Sequence, residues 1–130
     1  MIVSENVVES IDARTAEVYM RDDDIICVCV KDDVDIDIED SKETFEAVKK
    51  LANGEKKPVL VFTGSGGTIT NDVRRFSASK AAGEPTLAEA VIANSLAHKL
   101  VVNFLIKFAN MGRPMRIFTS ESEAVHWLNL

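Results

Sequence analysis

Apolar residues recur in short runs separated by acidic or Gly- and Pro-bearing segments, and the period of each run predicts an element. Ile25-Ile26-Cys27-Val28-Cys29-Val30 is apolar at every position, so it reads as a strand covered on both faces, central in a layered sheet. The β-favouring run Arg14 to Met20 reads as its hairpin partner, with Asp22, Asp23 and Asp24 in the turn. Residues 1–13 mix acidic and apolar positions without a clean period and read either as a ragged terminus or as an extra edge element.

Asp40-Ser41-Lys42-Glu43 has the spacing of a capping box and predicts a helix with Phe45, Val48, Leu51 and Ala52 on one stripe, closed by Asn53-Gly54. Pro58 to Thr63 reads as a buried parallel strand, Gly64-Ser65-Gly66-Gly67-Thr68 as a loop, and Thr70 as the N-cap of a helix running to about Lys80. Leu87 to Ala93 is assigned to a strand although Ala88, Glu89 and Ala90 favour helix, so burial must override local preference there. Ser95 caps a helix from Leu96 to Asn110, Pro114 to Phe118 is the last strand, and Ser120-Glu121-Ser122-Glu123 is a second capping box. It places Ala124, Trp127 and Leu128 against the sheet.

The resulting order, β-β-α-β-α-β-α-β-α, is an α/β fold: a mixed, mostly parallel five-stranded sheet covered by about four helices. At 130 residues the chain suits one domain spanning 1–130, since two would each lack a core. Hydrophobic residues at 46% with 3 Pro and 6 Gly exclude a disordered or low-complexity chain. No apolar stretch approaches the roughly 20 residues that cross a bilayer, and cytoplasmic residence is the default expectation. The net charge of −6 has the wrong sign for gripping a phosphate backbone, which argues against nucleic acid as a partner. Residues 1–65 carry 8 basic and 16 acidic side chains, and the runs Asp22–Asp24 and Asp32–Asp40 predict one electronegative end, with these acids in solvated loops rather than in a cation site. Cys27 and Cys29 project to the same strand face, too far apart to pair, and read as small buried hydrophobes.

Gly64, Ser65, Gly66, Gly67 and Thr68 lie between a strand and a helix, where backbone N–H groups favour an anion. The loop lacks the Lys of a P-loop and does not match GxGxxG, so the competing reading is a plain connector. Arg74 and Arg75 diverge by about 100° around a helix and only one could serve such a pocket. His126 reads as a helix-surface residue and His98 as a neutral imidazole near a helix start. Neither supports catalysis, and no metal, cofactor or catalytic residue is assigned; an enzyme is the least favoured class. In the helix from Leu96, the residues Leu96, Leu100, Val101, Phe104, Leu105 and Phe108 read as a core-facing stripe, with Lys99, Asn103, Lys107 and Asn110 as the polar one. Val102 and Ile106 are left on the flank, and burying both would contribute about 3–6 kcal/mol. They predict either a twofold contact with a second copy or the roof of an apolar cavity.

The element order, together with the run Arg116-Ile117-Phe118-Thr119-Ser120-Glu121-Ser122-Glu123-Ala124-Val125-His126-Trp127-Leu128, resembles small bacterial single-domain proteins of the STAS and SEC14-like fold, relatives of the SpoIIAA-like anti-sigma-factor antagonists. The resemblance covers about residues 14–130 and implies the fold and self-association as a homodimer, but no reaction. Its antagonist branch implies a phosphorylated Ser after the third strand within Asp-Ser-x-Gly. Ser65 is the nearest counterpart, without the preceding Asp and with extra glycines. The function so implied is a noncatalytic interaction or regulatory module with a protein partner; the SEC14 side implies instead a carrier of a small apolar ligand or lipid.

Overall fold

The computed structural model describes residues 7–93, 95, 96, 99, 100, 102, 103 and 112–130. Along the chain run β1 (Val7–Asp12), β2 (Ala16–Arg21), β3 (Ile26–Val30), β4 (Asp35–Ile36), α1 (Ile38–Ala52), β5 (Lys57–Phe62), β6 (Thr68–Ile69), α2 (Asn71–Ser77), β7 (Thr86–Ile92) and β8 (Met115–Phe118), followed by a C-terminal helix, Glu121–Leu128. Leu96, Lys99, Leu100, Val102 and Asn103 are helical as well. The main sheet has the order β1-β2-β3-β5-β7-β8. Its first three strands pair antiparallel and the rest pair parallel.

The unbroken apolar run of β3 is explained by its two faces. Ile26 and Val28 join Ala47, Val48 and Leu51 of α1 in one cluster, whereas Cys27 and Cys29 join Ala124 and Leu128 of the C-terminal helix in the other. Val18, Ile25, Ile26 and Leu60 are fully enclosed, and each such side chain contributes about 1.5–3 kcal/mol. Burial pushes the Cys27 thiol up to about 11 and raises that of Cys29, so both are unreactive at neutral pH. They are free cysteines, in agreement with their spacing.

The structure corrects the expected layout in four places. The sheet has six strands, because residues 7–12 form an edge strand, one of the two readings open for that segment, paired with β2 and mostly exposed, so little apolar signal marks it. α1 starts three residues earlier than expected, capped by Asp37, with Asp40 closing the box at the third helical position. α2 ends at Ser77, short of Lys80. A two-stranded parallel pair, β4 with β6, has no counterpart in the expected order. The strand assigned against helical propensity is present as β7, with Ala90, Val91 and Ile92 buried.

One polar pair sits inside this layering. Arg113, 4% exposed, donates from Nε to Glu89 Oε1 at 3.1 Å and from Nη2 to the Ser77 carbonyl at 2.9 Å. Burial pushes the Glu89 carboxyl up, and the guanidinium offsets only part of that rise.

Candidate functional site

Parallel strands send their connections out at one end, the usual place for ligands on such sheets. Here β3 and β5 are parallel neighbours, so the acidic segment after β3 and the Gly-rich loop after β5 leave side by side and pack together. Asp33 donates its N–H to the Ser65 carbonyl at 2.7 Å, and Ser65 donates its N–H to Asp32 Oδ1 at 2.8 Å. Thr68 donates its N–H to the Val34 carbonyl at 3.2 Å and its hydroxyl to Asp35 Oδ1 at 2.8 Å. Gly64, Gly66 and Gly67 all have positive φ, and a Cβ at Gly64 would meet the Val30 carbonyl oxygen at 2.7 Å. Glycine is required because the two loops touch backbone to backbone.

This arrangement revises the loop's chemistry. Two N–H groups expected to cradle an anion, those of Ser65 and Thr68, are given to acceptors of the chain itself, and Asp32, Asp33 and Asp35 surround the turn. Arg74 and Arg75 are both exposed on α2, and no described contact brings either to the loop. Ser65 is exposed and its side chain is accessible. The acids after β3 are thus hydrogen-bonded rather than merely solvated. They also lie at the opposite end of β3 from Asp22–Asp24, so the acidic charge is split between two ends. Asp23 of the other run is held by Arg21 at 2.9 Å.

Asp40 closes the same region from below. Its carboxylate accepts from Arg14 Nε at 2.7 Å and from the Asp37 N–H at 3.0 Å. The Arg14 guanidinium beside it holds this carboxyl well below the usual carboxylate range. A depressed folded pKa means stability that is present above about pH 4 and lost as pH falls below it. The Asp40→Asn protein is therefore expected to melt several degrees below wild type at pH 7, with the gap narrowing as pH falls below about 4; thermal melts between pH 7 and pH 2 provide the check.

Segments leaving the neighbouring strand reach the same end. Thr63 donates its N–H to the Ile92 carbonyl at 3.2 Å, and β7 leads within four residues to Leu96. Three described residues here depart from the expected stripe: Leu96 is 73% exposed and Leu100 is 61% exposed, whereas Val102 is buried at 8%. At about 100° per residue, Asn103 lies within about 60° of both Leu96 and Leu100, whereas Val102 lies about 120° and 160° from them. The exposed Asn103 thus shares a face with the two leucines. Ile106 and His98 lie outside the described residues, as do Val101, Phe104, Leu105 and Phe108 of the expected core stripe and Lys107 and Asn110 of the polar one. His126 is exposed on the C-terminal helix, as read. Among the described residues no group of three or more His, Cys, Asp or Glu could hold a metal ion, and no helix is long and apolar enough to cross a membrane.

The fold is shared with a solved structure, that of an uncharacterised protein from the DUF3478 family with a SpoIIAA-like fold from Shewanella loihica PV-4. The TM-score is 0.59 at 16% identity, covering 97% of this chain and 98% of the other. A search of curated proteins gave no match. The SpoIIAA-like architecture expected from the element order is thereby found. Residues 18–130 match the family described as Domain of unknown function (DUF7793), and the chain belongs to that family.

Proposed function

We propose that this chain is a noncatalytic interaction module that self-associates through the helical turn bearing Leu96 and Leu100 and is modulated at the Gly64–Thr68 loop. The observation that carries the reading is the exposure of two leucines, at 73% and 61%, one helical turn apart. A twofold contact would place this turn against its own copy, as symmetric dimers do. Burying both leucines on each side contributes enough to offset part of the cost of association. The loop supports the regulatory half: Ser65 is exposed, and Asp32 accepts its N–H. An added negative charge there would repel Asp32 and Asp33 and loosen the contact between the two loops, next to the strand that feeds the Leu96 turn.

Sedimentation velocity from about 10 to 500 µM tests both halves. Wild type is expected to shift from monomer to dimer over that range. The Leu96→Asp, Leu100→Asp protein is expected to stay monomeric with an unchanged melting temperature, and Ser65→Asp to alter the dimer constant several-fold. A wild type that remains monomeric at the highest concentration removes the self-association, and a Ser65→Asp protein identical to wild type removes the modulation.

A further inference from the structure

A cavity of about 180 Å³ lies between α1, α2 and the sheet. Its apolar walls come from both layers: Val48 and Phe45 on α1, Val59 and Val61 on β5, and Phe76 on α2. Phe45 and Phe76 meet edge to face, with ring centroids 5.5 Å apart, and tie the two helices at its rim. Its polar groups are few and specific. Glu89 and Arg113 form part of its lining, together with the hydroxyls of Ser41, Thr44 and Thr86. None of the described residues of the Leu96 segment lines it.

We infer that this space is a binding site for a small uncharged molecule, one ring or a short branched chain in size, that carries a hydroxyl group. Size sets the first limit. At about 180 Å³ the space suits a group one ring in size, since an enclosed apolar cavity of about 150 Å³ accepts benzene and pockets for drug-sized ligands start near 300 Å³. Charge sets the second limit. Glu89 and Arg113 already neutralise each other in a partly desolvated place, and a charged ligand entering there would find no unmatched counter-charge to offset its own desolvation. A hydroxyl suits the lining because a carboxylate has about four lone-pair positions, more than the described Arg113 bond to Oε1 uses. Mostly apolar walls with a few convergent polar groups are the general character of small-ligand sites.

Titration of the ¹⁵N-labelled protein with phenol, and separately with toluene, tests the site by the amide shifts of Val59, Ser77 and Glu89. Phenol is expected to saturate with a Kd of about 0.1–1 mM, a range reasonable for seven heavy atoms, and toluene to bind at least tenfold more weakly. Thr44→Trp and Ala82→Phe fill the space from opposite walls at half-buried positions. Each is expected to weaken phenol at least tenfold while melting as wild type does. No saturable shift with phenol up to about 10 mM, or undiminished phenol binding in whichever of the two variants folds, overturns the site. Equal affinity for toluene overturns the assignment of a hydroxyl-bearing ligand. Neither outcome bears on the Leu96 contact, which lies elsewhere.

Discussion

Replacing Arg113 with Ala is expected to cost about 3–5 kcal/mol and to lower the melting temperature by about 10–20 °C. The size follows from what the guanidinium leaves behind. Glu89, with its side chain 17% exposed, would keep a carboxylate without its described partner, and the carbonyls of Ser77 and Ser79 would lose donors at 2.9 and 3.4 Å. The change therefore cuts the end of α2 loose from β7 as well as stranding a charge. Pairing it with Glu89→Leu removes the charge but not the unmet carbonyls, so the double variant with Arg113→Met is expected to recover about half of the loss. The single variant also gains a steeper pH dependence. Burial already holds the folded Glu89 pKa above the unfolded one, and with Arg113 gone it stands higher still. The stability linked to the protonated form is then held at low pH and lost as pH rises through the folded value. The Arg113→Ala protein should thus fall further below wild type at pH 8 than at pH 5. Urea unfolding at the two pH values measures this, and equal losses at both would mean that Glu89 finds another partner.

The features most open to reading from sequence are those decided by local pattern and by burial on both faces. β3 was visible because six apolar residues in a row cannot face water, and β7 because the same argument outweighed the helical preference of Ala88, Glu89 and Ala90. Thr70 and Ser120 cap their helices as their spacing indicates. Other features depend on partners distant in sequence. Asp37 and Asp40 both fit an N-cap, and the choice falls to Asp37 because Arg14, 26 positions before Asp40, draws that carboxylate inward. β1 has few buried side chains and is defined by its ladder to β2. The outward placement of Leu96 and Leu100 was hard to read because apolar residues nearly encircle that helix; the signal for it is Asn103, which lies within about 60° of both leucines. The cavity was not legible at all, since its walls come from elements spread from Val28 to Arg113.

The Gly-rich loop gives the second large effect. Gly67→Ala is expected to cost about 3 kcal/mol, against about 1 kcal/mol for Gly54→Ala. Both glycines have positive φ, +75° and +85°, so both substitutions carry the same backbone penalty. They differ in surroundings. A Cβ at Gly54 meets nothing within 4 Å, whereas at Gly67 it would run into the Val34 carbonyl oxygen. That oxygen is backbone and accepts the Thr68 N–H, so relief of the clash means displacing β4 from β6 and giving up the pairs Asp35 with Thr68 and Ile36 with Ile69. One or two hydrogen bonds at about 1 kcal/mol each make up the difference. The damage should be local. Hydrogen exchange at the Thr68 and Ser65 amides is expected to accelerate at least tenfold in the Gly67 variant, while amides of β3 and β5 keep their order of protection. A Gly67→Ala protein with wild-type exchange at Thr68 would show that the loop stands clear of the acidic segment, and with it would go the argument that a charge at Ser65 can be felt beyond its own turn.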